Sequence, residues 1–281
     1  MEWQTTLGQP VSLTGTGLHS GRPCRLTLAP APADAGIQWQ RVDLDGQPAV
    51  PAAVEHVADT QRATTLARGP ARVQTVEHVM AALAGMGVDN ALVQVDGPEP
   101  PLADGAAAAF VDLVRSAGVV RLRAPRRVRP VTRPVAVSRG DAHMVALPAR
   151  GLRISCVFVS DHPALGTQFA EYAIDPDTFA AEIAPARTVG WLAEVEALRR
   201  RGLALGATLE AAVVVGEREL VTPQRFPNEV ARHKVLDIVG DLALAGRVQA
   251  HIIALRSGHA LHVALARQLV TEFREEAATL E

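Results

Sequence analysis

The sequence predicts an α+β protein built from two α/β sandwich domains, residues 1–125 and 126–281, and three observations lead there. The chain has 281 residues, more than one average domain and fewer than three. The stretch from Arg121 to Arg133 holds six arginines and two prolines, the polar, proline-containing character of a boundary segment. Strand-like and helix-like stretches occur on both sides of it in a repeated grammar, without the regular alternation of a doubly wound sheet.

Val11-Ser12-Leu13-Thr14 and Arg25-Leu26-Thr27-Leu28 alternate at period two and end in turn-forming residues, so both read as strands. From Gln74 to Gly85, Val76, Val79, Met80 and Leu83 recur at helical spacing, with Thr75 as a candidate cap. Ala91 to Val95 reads as a strand, Gly97 to Pro101 as a turn, and residues 106–117 as an alanine-rich helix. The second half predicts strands at 134–138 and 152–159, then helices near 176–184 and 191–201. A strand at 210–215, a helix at 229–245, a strand at 249–255 and a last helix at 260–276 complete it.

Composition excludes several classes. Twenty-eight basic residues against thirty acidic ones leave a charge of −2, so there is no electrostatic footprint for nucleic acid. Two cysteines, Cys24 and Cys156, rule out a disulfide framework and a thiolate zinc site. No basic segment with an apolar core follows Met1, and no apolar run reaches the roughly 20 residues of a bilayer span. The expectation is a cytoplasmic monomer that acts on a small molecule. Every basic residue except Lys234 is arginine, which singles out Lys234 as a place where a compact ammonium is needed.

Nine histidines occur, three of them in informative surroundings. In Arg232-His233-Lys234-Val235-Leu236-Asp237-Ile238-Val239-Gly240-Asp241, a helix of 100° per residue puts His233, Lys234, Asp237 and Asp241 on one face. An imidazole and a carboxylate four residues apart can address one cation, although the same pattern also describes a solvated polar face. Glu77-His78 offers a further imidazole beside a carboxylate able to act as a general base, or simply a glutamate in a first helical turn. Ser257-Gly258-His259 presents a histidine where a strand passes into a helix, a position for a general acid or for a cap. Gly15 to Gly21 alternates glycine but has no strand–helix unit around it, so it does not read as a phosphate loop.

The order of these segments carries more than any one of them. Thr14-Gly15-Thr16-Gly17-Leu18-His19-Ser20-Gly21, Thr75-Val76-Glu77-His78, Asp89-Asn90 and Pro101-Leu102-Ala103-Asp104-Gly105 occur in one half. His162-Pro163-Ala164-Leu165-Gly166, Ala186-Arg187-Thr188, Arg232 to Asp237 and Ser257-Gly258-His259-Ala260 occur in the other. In this order, from about residue 5 to residue 270, they resemble the zinc-dependent UDP-3-O-acyl-N-acetylglucosamine deacetylases, which carry out the committed step of lipid A synthesis.

The resemblance implies two α+β domains of like topology packed with a metal site between them. It implies His78, His233 and Asp237 as ligands of zinc, a set that also suits ferrous iron. Glu77 matches the general base and His259 the histidine that stabilises developing charge and protonates the leaving amine. Asp241 matches the acid that orients His259, Thr188 the threonine near the substrate carbonyl, and Lys234 the lysine near the substrate's polar groups. Gly190 to Leu198 matches a helical insert lining an acyl-chain passage. Three features depart from the pattern: Val189 where a phenylalanine is usual, Gln61 and Arg62 where many members are apolar, and a shortened 138–152 segment. They motivate an alternative, a zinc amidase acting on another N-acetylated glycan precursor. A non-catalytic metal-binding relative is the reading from a different class.

Overall fold

The computed structural model describes residues 2–280. The first half runs through β1 (Trp3–Leu7), β2 (Val11–Thr16), β3 (Pro23–Pro30), β4 (Ile37–Arg41) and β5 (Ala49–Pro51). It continues through β6 (Val57–Asp59), β7 (Thr65–Arg68), β8 (Ala71–Val73), α1 (Glu77–Gly85), β9 (Ala91–Val95), α2 (Ala108–Ala117) and β10 (Val119–Pro125). The second half holds β11 (Val128–Pro130), β12 (Val135–Arg139), β13 (Ala142–Leu147), β14 (Leu152–Phe158), β15 (Gln168–Ala173) and a single turn, α3 (Pro176–Thr178). After it come β16 (Val189–Trp191), α4 (Leu192–Arg200), β17 (Val213–Val215), α5 (Glu229–Leu242), β18 (Arg247–Leu255) and α6 (His259–Leu280).

The protein is α+β, and its two principal sheets are built alike. In the first, the order is β2-β3-β9-β4-β5; in the second it is β12-β13-β18-β14-β15. Along these two five-strand orders the pairings also correspond: β9–β4 and β18–β14 are parallel and the other neighbouring pairs antiparallel, while β11 adds a further parallel pairing to β18 in the second sheet. In each half a helix enters the central strand (α1 before β9, α5 before β18) and another leaves it (α2, α6). That central strand is therefore aimed by two helices, and its sides alternate inward and outward, as in β18 with Val248, Ala250, Ile252 and Ala254 buried. The two halves share one continuous apolar core. They meet where α1 lies against α5, and Gly240 makes that approach possible. A Cβ there would sit 2.1 Å from the backbone oxygen of Glu77.

Several sequence expectations need correction. The stretch 121–133 is no open linker: β10 pairs with β1 and β11 with β18. Its arginines alternate with less exposed residues along β10, so they mark the solvent side of a strand. The helix expected at 176–184 is one α turn, capped by Asp175, followed by a π-helical segment Phe179–Ile183. Thr75 does not cap α1. It adopts φ 57 and its hydroxyl turns to Glu99 at 3.4 Å, while Val76 takes the cap position. Strands β4 to β8 are too short, and too interrupted by proline and polar residues, to register as periodic segments.

Candidate metal centre and active site

The expected groups converge from α1, α5 and the start of α6. Glu77 and His78 form the first turn of α1 and are both buried. His233, Asp237 and Asp241 lie along α5 and are 1%, 1% and 0% exposed, which excludes the solvated-face reading of that helix. Nitrogen or oxygen atoms of His78, His233 and Asp237 all lie within 4.8 Å of one another. His78 Nε2 is 3.8 Å and His233 Nε2 3.3 Å from the same atom, Asp237 Oδ1.

That oxygen tests whether a cation fits. Among the described residues, nothing donates a hydrogen bond to Asp237 Oδ1, although it is buried. A buried carboxylate oxygen left without a donor is costly, and a cation removes that cost. The surrounding bonds prepare the ligands. The His233 Nδ1–H donates to the Ala186 carbonyl at 3.0 Å, which leaves the Nε2 lone pair facing Asp237. Lys234 Nζ donates to Asp237 Oδ2 at 2.8 Å and so claims the other carboxylate oxygen. Burial pushes His78 down to about 3, keeping it a neutral donor at physiological pH. The residues present fit a divalent cation.

A second cluster borders the first. His259 Nε2 lies 3.9 Å from Glu77 Oε1, and its Nδ1–H donates to Asp241 Oδ2 at 2.8 Å. Burial raises Glu77 to about 7, with the Asp241 and Asp237 charges adding to it. Burial alone lowers His259, but Asp241 and Asp237 outweigh it and raise the imidazole to about 9. Burial likewise disfavours ionised Asp241, yet its hydrogen-bonded imidazole partners bring it down to about 2. A carboxylate poised near neutrality thus faces an imidazolium.

Thr188 stands two residues beyond Ala186, on a strip fixed from several sides. Its N–H donates to the Gly105 carbonyl at 3.0 Å. Its neighbour Arg187 is buried on Glu229, with Nε 3.0 Å from Oε1, and also donates to the carbonyls of Glu210 and Pro223. Lys234 borders a recess of about 280 Å³ that also takes in Phe158, Arg256 and Ser257. Two of the departures noted in sequence have defined places. Val189 opens β16, and Arg62 pairs with Glu194 of α4 at 2.8 Å, tying loop 60–64 to the insert.

Sequence reasoning missed Thr64, His262 and Glu99. Thr64 touches both Glu77 and Asp241. His262 shares Asp241 with His259. Glu99, 0% exposed, explains the glycine alternation: the backbone N–H groups of His19 and Ser20 donate to its carboxylate. The Gly17-to-Ser20 turn does cradle an anion, but that anion is the chain's own glutamate. Nothing local in sequence marks any of the three.

Two imidazoles facing the orphan oxygen of one carboxylate, with a second carboxylate and an imidazolium alongside, make this a candidate metal-dependent hydrolase site on an α+β scaffold. Comparison narrows the class. The chain matches the UDP-3-O-acyl N-acetylglycosamine deacetylase family over residues 4–271, and it belongs to that family. It is 47% identical over 272 residues to the UDP-3-O-acyl-N-acetylglucosamine deacetylase of Myxococcus xanthus (strain DK1622), covering 96% of this chain and 87% of that protein. The enzyme of the same name from Anaeromyxobacter dehalogenans (strain 2CP-C) is 48% identical over 96% of this chain and 88% of its own length. That from Acidithiobacillus ferrooxidans (strain ATCC 53993 / BNL-5-31) is 42% identical over 95% and 90%.

Proposed function

We propose that this protein removes the N-acetyl group from UDP-3-O-acyl-N-acetylglucosamine, the lipid A pathway step, releasing acetate and the free glucosamine amine. The observation that carries the reading is the orphan Oδ1 of Asp237 set among His78 and His233, with Glu77 and His259 alongside. His78, His233 and Asp237 hold the metal, zinc or alternatively ferrous iron. When bound, that ion supplies a Lewis acid for the acetamide carbonyl and makes a neighbouring water acidic enough to ionise near neutral pH.

The chain's own groups handle the protons. Glu77 accepts one from the attacking water as the new C–O bond forms. His259, charged through Asp241, faces the negative charge that develops on the carbonyl oxygen. It then passes its Nε2 proton to the nitrogen as the C–N bond breaks. Thr188 donates its hydroxyl to the same oxygen, and Lys234 faces the substrate's polar groups from the recess it borders. We take the enzyme to be a monomer, and the nucleotide-sugar substrate supports a cytoplasmic location.

The test is acetate release from UDP-3-O-acyl-N-acetylglucosamine by metal-loaded protein, beside Glu77→Gln. We expect the variant to keep its metal and to lose roughly 100-fold or more of turnover. A metal-loaded Glu77→Gln protein with full activity removes Glu77 as the base. Metal-loaded wild type without acetate release points to the other N-acetylated glycan precursors.

A further inference from the structure

Asp241 is 0% exposed, so its negative charge depends entirely on donors supplied by the chain. Three converge on it. Thr64 Oγ1–H donates to Oδ1 at 2.6 Å, while the Nδ1–H groups of His259 and His262 both donate to Oδ2 at 2.8 Å. Thr64 has a second role in the same place. Its backbone N–H donates to Glu77 Oε2 at 3.0 Å, and its carbonyl accepts from the Val76 N–H at 3.2 Å. One residue therefore touches the carboxylate beside His78 and the carboxylate beneath His259, which lie 13 and 177 positions away in sequence.

We propose that Thr64 and His262 are positioning residues for the deacetylation described above, fixing the plane of Asp241 so that His259 stays aimed at the reacting centre opposite Glu77. The proposal rests on that reading of the site. A carboxylate turns about its last side-chain bond unless both oxygens are held. Thr64 fixes Oδ1 from the loop side, and His262 fixes Oδ2 from α6, one turn beyond His259. The far nitrogen of His262, Nε2, lies 3.0 Å from the Ser257 hydroxyl, which can donate to it when the ring proton sits on Nδ1 toward Asp241. Enclosure at 0% exposure lowers His262 and so favours the neutral ring. Two imidazoles thus share one oxygen, but only His259 has a free nitrogen, Nε2, turned toward Glu77. Outer groups of this kind orient the working side chain and touch no substrate.

The test compares variants that differ in one hydrogen bond. Thr64→Val keeps the branched shape and the N–H to Glu77 but deletes the hydroxyl; Thr64→Ser keeps the hydroxyl. His262→Leu removes the donor, and His262→Asn restores one near the Nδ1 position. For each metal-loaded protein, kcat and KM for acetate release, bound metal, and the downfield proton resonance of the His259 Nδ1–H are measured. We expect kcat of Thr64→Val and His262→Leu to fall roughly 10- to 100-fold. KM and metal content stay unchanged, and the resonance shifts or broadens. Thr64→Ser and His262→Asn recover most of the loss. Where Thr64→Val does not fold, Thr64→Ala is read in its place. Wild-type kcat and an unshifted resonance in the deleted variants overturn the proposal. So does a loss that the serine and asparagine variants fail to recover, because that pattern belongs to packing. If wild type itself releases no acetate, the substrate reading fails, and the resonance still decides whether these residues position His259.

Discussion

Among the described residues, nothing donates a hydrogen bond to one carboxylate oxygen, Asp237 Oδ1, while its partner oxygen is held by Lys234. The division of labour suits a ligand, and it makes the metal contribution of individual residues measurable. His78→Ala and Asp237→Ala are each expected to weaken metal binding by at least roughly 100-fold, since each removes a direct ligand from a set in which even outer partners matter 10-fold or more. Full metal retention in both, measured as bound metal after dialysis, refutes the assignment. At this scale the sequence was informative where chemistry is concentrated in neighbouring residues. Glu77-His78 and the His233/Asp237/Asp241 spacing are visible as one helical turn or one helical face. Thr64, His262 and Glu99 were not visible, because their roles exist only through contacts that the fold makes. A threonine bonded to a carboxylate 177 residues away leaves no local pattern.

The elements carry these residues only as accurately as α1 and α5 are pressed together. Gly240 sits at the closest point, where an added methyl meets the backbone oxygen of Glu77, an atom that cannot swing aside. Gly240→Ala is expected to cost roughly 1–3 kcal/mol by overpacking and to displace Glu77 and His78 relative to Asp237. Both Tm and turnover then fall together. Gly258→Ala is the control, since nothing lies within 4 Å of its added Cβ and the residue is next to His259. Equal effects of the two substitutions count against the close approach as the determinant. Helix spacing gave α1, α2, α5 and α6 within a few residues, because each has a sustained apolar stripe. The boundary elements misled for a physical reason. Arginine-rich β10 reads as solvated linker, but a strand on a sheet edge also presents charge to water.

For the whole molecule, the repeated β-sheet order in the two halves agrees with the like-topology domains expected from sequence, though the residues alone displayed only a repeated grammar of strands and helices. The halves repeat a topology, not a residue pattern. We propose that residues 1–125 and 126–281 are two domains, with the apolar core continuous across them and the charged groups gathered at the α1–α5 contact. Burying those charges ties global stability to pH, and the His259–Asp241 pair sets limits on both sides. In metal-free protein His259 is raised from 6.5 to about 9. Its contribution is therefore complete below pH 6.5 and is lost as pH rises through 9. Asp241 is lowered from 3.8 to about 2, so its contribution is complete above pH 3.8 and is lost as pH falls through 2. The pair's support is expected to be flat between these limits, at about 2–3 kcal/mol, and to decline on either side. Denaturant unfolding of chelator-treated wild type and His259→Gln from pH 3 to pH 10 measures it together with the changes that losing His259 brings to Asp241, Asp237 and Glu77. The difference between the two free energies is predicted to hold steady from about pH 4 to 6.5 and to shrink toward zero near pH 9. A difference that instead rises between about pH 4 and 6.5 and levels off above that means that the imidazole is neutral in the folded protein, and the charge assigned to His259 is then wrong.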